Sequence, residues 1–190
     1  MLKMTEVVTG KNTRFSYLNA TAPRAAAEGA TPKYSASLII SKGDTITLEK
    51  IKAAIKAAYE KDKDKIRGNS KVAPPLDKVK TPLRDGDEDK PDDEAYANSY
   101  FINATSKNKP KAFDANGNAI IDASELYSGI YGKAVINFYG YCVNGNRGIA
   151  AGLEGLQKLR DGEPLGGGGI SADIFSEGSD EGDDDDSFLN

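Results

Sequence analysis

The 190-residue chain contains no histidine, no tryptophan and one cysteine, Cys142. Without histidine and with a single thiol it cannot build a zinc site of the Cys/His type, a Ser-His-Asp triad or a Cys-His pair. One cysteine also rules out an internal disulfide, and its apolar, strand-like surroundings suggest a buried, inert thiol. Long apolar runs are missing too. Stretches such as Leu38-Ile39-Ile40 and Ala134-Val135-Ile136 fall far short of the ~18 residues that would span a bilayer, and no apolar segment of a secretory signal follows Met1. The expectation is a soluble, unsecreted protein of a reducing cytoplasm, with no membrane contact. The length suits one domain, or one domain with appendages.

Charge is abundant but unevenly placed. The overall balance is −4, yet residues 171–190 hold eight acids and no base, and the block Asp85 to Glu94 holds seven acids against Lys90 alone. Outside these two blocks 24 basic residues face 14 acidic ones, a surplus of ten. A basic body points to a polyanionic partner, and an acidic tail points to competition with that partner or recruitment of another protein. Acidic runs also serve plain solubility.

Residues 12–17 and 33–40 alternate as strands do, and Tyr100 to Ala104 and Lys133 to Val143 read as further strands. Asn116-Gly117 reads as a hairpin turn, and Asn144-Gly145-Asn146 turns the chain into a strand over Gly148 to Leu153. Leu48, Ile51, Ile55, Ala58 and Tyr59 recur at helical spacing and predict one amphipathic helix from about Thr47 to about Asp62. Residues 63–95, charged and broken by Pro74-Pro75, Pro82 and Pro91, predict a long irregular insertion. Leu156 to Arg160 is a short basic segment, and Gly166 to Gly169 a flexible linker that carries the acidic tail. The fold class is mainly β with one helix. About five strands suit a small antiparallel barrel or a sandwich, and five strands plus a helix is the count of an OB-fold.

Within Tyr131 to Tyr141 a period of two puts Ala134, Ile136, Phe138 and Cys142 on one face and Tyr131, Lys133, Asn137, Tyr139 and Tyr141 on the other. The second face has the chemistry of a surface on which bases stack while cations meet phosphates. Strands also favour tyrosine for packing alone. Arg14, Tyr17, Lys33, Tyr34, Lys107, Lys109, Lys111 and Arg147 add bases and aromatics near other strand ends and extend the candidate set. Asp114 to Glu125 spaces its oxygen ligands as a calcium loop would, but lacks the glycine at the sixth position and helical flanks, so a hairpin explains it better. Four consecutive glycines without a following Lys-Ser/Thr are not a phosphate-binding loop. No metal or cofactor is implied.

Thr9 to Tyr17, Pro32 to Ile40, Lys80 to Asp87, Tyr127 to Tyr139 and Gln157 to Gly166, taken together and in order, resemble a bacteriophage single-stranded DNA-binding protein family formerly catalogued only as a domain of unknown function. The resemblance implies an OB-fold-like barrel with insertions that coats single strands in phage replication, recombination or repair, without sequence preference or catalysis, in the cytoplasm of the bacterial host. The tail, with Asp183, Asp184, Asp185, Asp186 and Phe188, is similar to tails that engage replication or recombination proteins, although Leu189 and Asn190 follow the aromatic residue. On this reading residues 1–165 are the DNA-binding domain, with the insertion at 63–95, and 166–190 the linker and disordered acidic tail; a homo-oligomer is left open. Two alternatives stand beside it: a metal-dependent nuclease using Asp85, Asp87, Asp89 and Asp92 of the Asp85 to Glu94 run, and a structural phage protein whose tail serves solubility.

Overall fold

Segments with a period of two become strands, and the one segment with a period near 3.6 becomes the main helix. The computed structural model describes residues 1–165. In chain order they form β1 (Glu6–Val8), β2 (Thr13–Arg24), β3 (Lys33–Ser41), α1 (Thr45–Lys61), α2 (Lys63–Arg67), β4 (Leu83–Asp85), α3 (Gly86–Asp89), β5 (Ser99–Ser106), β6 (Lys111–Phe113), β7 (Tyr131–Val143) and β8 (Asn146–Arg160). The expected tail and its linker lie outside the described residues.

Five strands close a ring. β2 pairs antiparallel with β3, β3 with β5, and β7 with both β8 and β2, while β5 and β8 run parallel. The path β2-β3-β5-β8-β7-β2 leaves no free edge in the ring and is the five-stranded barrel of an OB-fold rather than a sandwich. β1 adds to β7, β6 to β8 and β4 to β5 as short outer strands.

The interior is apolar because the inward positions of every ring strand are. Phe15, Leu38, Ile40, Ile102, Ala104, Ile136, Phe138, Ile149, Ala151 and Leu153 are buried in one cluster. Burying an aliphatic or aromatic side chain contributes roughly 1.5–3 kcal/mol, so this set supplies much of the driving force. α1 adds Leu48, Ile51, Ile55, Ala58 and Tyr59 to the same cluster. It begins where Asp44 accepts a hydrogen bond from the Thr47 N–H at 3.2 Å, satisfying a free donor of the first turn. Asp62 ends it, and its carboxylate accepts from the Gly140 N–H at 2.8 Å, tying the helix to β7. Gly140 is required there, since a Cβ would stand 2.7 Å from Asp62 Cβ and 2.9 Å from Ile66 Cγ1.

Several expectations need correction. The insertion 63–95 is not irregular throughout: among the described residues the short helices α2 and α3 and the strand β4 lie within it, beside the one long amphipathic helix α1. Prolines punctuate the insertion without preventing short elements between them. Leu156 to Arg160 is the continuation of β8, paired with β7 up to Arg160 opposite Tyr131. Lys158, a charged residue that hides the strand pattern, is buried there, and its ammonium meets Glu125 at 2.6 Å and Asp161 at 2.7 Å. Cys142 is half-buried and not fully enclosed.

The acidic part of the insertion folds back onto the barrel. Ile39, Tyr96 and Phe101 form a second small core, with the Tyr96 hydroxyl donating to Ser37 Oγ at 2.9 Å. Lys42 bridges Asp87 at 2.7 Å and Asp85 at 2.9 Å, and Arg84 meets Asp89 at 2.6 Å. Hydrogen bonds from Lys42 hold both aspartates below the usual carboxylate range and, with Asp87 the stronger partner, hold the ammonium above its own. Because the carboxyl values are depressed by folding, the clamp contributes above the ordinary carboxylate range and is lost as pH falls through the lowered values.

The alternation of β7 makes a direct stability test. Phe138 is 1 % exposed, so Phe138→Ala is expected to cost about 3–5 kcal/mol in urea unfolding, whereas trimming Val143, exposed at the end of the same strand, to alanine should change stability by less than about 1 kcal/mol.

Candidate nucleic-acid interface

Outward positions of the ring strands form a continuous band. On β2 a bulge breaks the pairing with β3 between Ser16 and Asn19, and Tyr17 takes a positive φ of 46°. A bulge of this kind re-aims a side chain, and the Tyr17 ring stands out from the barrel, 61 % exposed. Next to it Ser35 of β3 and Asn103 and Thr105 of β5 line a shallow cleft of about 330 Å³ that also takes in Tyr17 and Lys90. β8 contributes only Gly148, Ala150 and Gly152 on this side, a floor of small residues. Beyond the floor Tyr141 lies opposite Gly148 and Tyr139 opposite Ala150, while Thr105 pairs with Gly152 on the other flank.

The band can do two things chemically. Tyr17, Tyr139 and Tyr141 offer rings on which bases can stack, worth ~1–3 kcal/mol per base. Asn103, Thr105 and Ser35 offer hydrogen-bonding groups between them. Lys90 stands over Tyr17 at 5.1 Å, Tyr96 at 5.0 Å and Phe101 at 5.8 Å, so one cation is held by three rings at the edge of the band.

The sequence-derived candidates divide by location. Tyr17 lines one cleft and Tyr141 another, with Asn103 in both, and Tyr139 reaches over Gly152. Lys33 lies opposite Arg24 at the start of β3 and is exposed, as are Lys107 and Lys109 after β5, so these cations gather around one end of the β2-β3-β5 sheet. Tyr34 has the inward parity of Ala36 and Leu38 and is half-buried, not on the outer face. Lys111 is exposed on β6, opposite Gly155 and away from the tyrosines.

Others are engaged in holding the fold. Arg14 donates to the carbonyls of Gly129 at 3.3 Å and Glu163 at 2.8 Å, and its guanidinium lies 5.1 Å from the Tyr131 ring. Arg160 lies 4.0 Å from the same ring, so two guanidinium groups are held against Tyr131. Arg147 donates to the Arg67 carbonyl at 3.2 Å and to Ser70 Oγ at 3.1 Å, closing the C-terminal end of α2. Asn137 accepts from the Thr5 hydroxyl at 2.9 Å beneath the β1 side of β7. Lys133 borders an apolar groove with Val8, Phe113 and Val135. Strand parity marks these residues as outward but carries no information about which neighbour covers them.

Sequence reasoning did not single out Asn103, Thr105, Ala150, Gly152 and Lys90, which the fold places in or beside the band. The repeat Gly148-x-Ala150-x-Gly152 was the available signal, since small residues at a period of two leave space above a strand.

The rival metal readings find other uses for their residues. Asp114 Oδ1 accepts from the N–H groups of Asn116 and Asn118, both at 2.9 Å, around a Gly117 with φ 84°, which is a hairpin turn. Among the described residues no group of three or more His, Cys, Asp or Glu side chains is placed to hold a metal ion.

A closed five-stranded barrel with an aromatic and polar band across its outer strands defines an OB-fold of the kind that binds single-stranded nucleic acid. Residues 5–189 match the family described as Enterobacter phage Enc34, ssDNA-binding protein, and the chain belongs to that family. It is 36 % identical over 146 residues to putative protein p50 of Acyrthosiphon pisum secondary endosymbiont phage 1, covering 74 % of this chain and 76 % of that one. The fold resembles the single-stranded DNA-binding protein of bacteriophage Enc34 solved in complex with ssDNA, with TM-score 0.72 and 26 % identity over 86 % of this chain and 91 % of that chain. It also resembles gp2.5, a single-stranded DNA-binding protein encoded by bacteriophage T7, with TM-score 0.56 and 16 % identity over 96 % and 98 % of the two chains, a likeness of fold alone. The family's description is that of a single-stranded DNA-binding protein.

Tyr139 and Tyr141 separate binding from folding. Tyr139→Ala and Tyr141→Ala are each expected to weaken binding of a single-stranded oligonucleotide by ~1–3 kcal/mol while leaving the melting temperature nearly unchanged, as read by fluorescence anisotropy and circular dichroism.

Proposed function

We propose that this protein coats single-stranded DNA during phage DNA replication, recombination or repair, in the cytoplasm of the host cell. The observation that carries the reading is the band of Tyr17, Tyr139 and Tyr141 with a small-residue floor between them, on a chain whose family is one of single-stranded DNA-binding proteins. Bases stack on the rings, and the cations around the band neutralise phosphates, Lys33, Lys107 and Lys109 at one end and Lys90 at its edge. Stacking on π-faces needs no particular base, which makes binding independent of sequence. No helix among the described residues is long and apolar enough to cross a membrane. A salt titration with single-stranded and duplex oligonucleotides tests the function. Single strands should bind more tightly, with log K falling by about 0.7 per tenfold salt for each phosphate neutralised; equal or tighter duplex binding would overturn it.

We further propose a division of labour in which residues 1–165 bind DNA and residues 166–190 act as an acidic competitor that also recruits replication or recombination proteins. The eight acids of residues 171–190 oppose the basic surplus of the body. A tethered anion reaches an effective concentration on the order of millimolar for short linkers, so even weak occupation of the band lowers DNA affinity. Truncation after Gly169 should therefore tighten single-strand binding at low salt, with the gain shrinking as the Debye length falls. Unchanged affinity of the truncated protein at the lowest salt would leave the tail no role as a competitor.

A further inference from the structure

β5 and β8 are hydrogen-bonded only where Ala104 meets Ala151 and Thr105 meets Gly152. Past these pairs the strands splay, and the gap is filled from the insertion. Leu83 to Asp85 ladder onto Tyr100 to Ile102, the Ile149 N–H donates to the Lys80 carbonyl at 2.8 Å, and Lys80 bridges Gly148. A Cβ on Gly148 would stand 2.7 Å from the Lys80 carbonyl oxygen and 3.0 Å from the Tyr141 hydroxyl, so segment 80–84 and the tyrosine ring meet at the floor of the band. Between them remains a cleft of about 620 Å³ lined by Lys80, Thr81, Pro82, Arg84, Asn103 and Tyr141.

We propose that this cleft is a nucleotide subsite that takes one unpaired base of a bound strand, and that it is where single strands are told from duplex. The proposal rests on the single-stranded DNA reading above and deepens it. The lining has the parts such a ligand needs. Tyr141 supplies a ring face, Ala150 a floor without bulk, Asn103 an exposed amide with both donor and acceptor for a base edge, and Lys80 and Arg84 cations for the flanking phosphate. A base whose hydrogen-bonding edge is turned to Asn103 cannot also be paired with a complementary strand, so duplex is excluded by the same contact that holds the single strand.

The wall is built before the ligand arrives. Pro82 restricts its backbone, β4 fixes it to β5, and the Lys42 clamp on Asp85 and Asp87 holds its far end. Arg84 shares its charge with Asp89 at 2.6 Å, whereas Lys80 has no carboxylate within ion-pair distance among the described residues. Lys80 is therefore the principal phosphate ligand of the cleft and Arg84 the secondary one.

The test uses the full chain, an oligothymidylate and a duplex of equal length, and the variants Lys80→Ala and Asn103→Ala. Both side chains are exposed, and Lys80 acts in the fold through its backbone, so the variants keep the barrel, as circular dichroism verifies. Lys80→Ala should make the slope of log K against log salt shallower by about 0.7, the signature of one lost phosphate contact. Asn103→Ala should narrow the preference for single strands over duplex by roughly two- to tenfold. Wild-type slope and wild-type preference in both variants would overturn the subsite while leaving the function standing. A wild-type protein without preference for single strands would instead overturn the reading on which the subsite rests.

Discussion

Everything on the outer surface depends on the long ladder between β7 and β8. It runs from Tyr131 opposite Arg160 to Val143 opposite Asn146, turning through Asn144 and Gly145 with φ of 50° and 80°. Positive φ at both central residues matches the right-handed twist of the flanking strands, so the turn sets the register. A slip of one residue would exchange the buried Ala134, Ile136 and Phe138 for Tyr139 and Tyr141, moving the aromatic rings into the core and the apolar side chains into water. The burial that stabilises the barrel thus also fixes which tyrosines are displayed.

The ladder alone does not close the barrel. β8 must also meet β5, and it does so over only two residue pairs before the strands part. A barrel that opened there would leave backbone donors and acceptors unpaired. The insertion solves this by supplying β4 to β5 and Lys80 to β8. Proline-rich sequence that looks dispensable is therefore part of the barrel wall, and its acidic portion is anchored by Lys42, Arg84 and the small core of Ile39, Tyr96 and Phe101.

The periodic elements were legible from residues alone because a period of two or 3.6 is a direct consequence of burying one face. β7, β3, β5 and α1 all stand within two residues of their expected limits. Short outer strands such as Glu6–Val8 and Leu83–Asp85 were not legible, since three residues carry no period and their pairing depends on distant partners. The same limit applied to the site. Parity showed that Tyr131, Asn137 and Tyr139 point away from the core. It could not show that Arg14 and Arg160 lie against the first, that Thr5 binds the second and that the third stays open.

The placement of the insertion's acids changes how the basic surplus should be understood. Counted by residue, the body outside the acidic blocks carries ten excess positive charges. Lys42, however, is neutralised by Asp85 and Asp87, Arg84 shares its charge with Asp89, and Arg14 and Arg147 spend guanidinium donors on backbone carbonyls. Fewer cations are available to phosphates than composition suggests, and those at the band, Lys80 and Lys90, stand beside aromatic rings. Charge collects a strand from solution over a Debye length. On the proposed reading, stacking on the tyrosines, which salt does not screen, is the component of binding that persists at ionic strengths that abolish the electrostatic one.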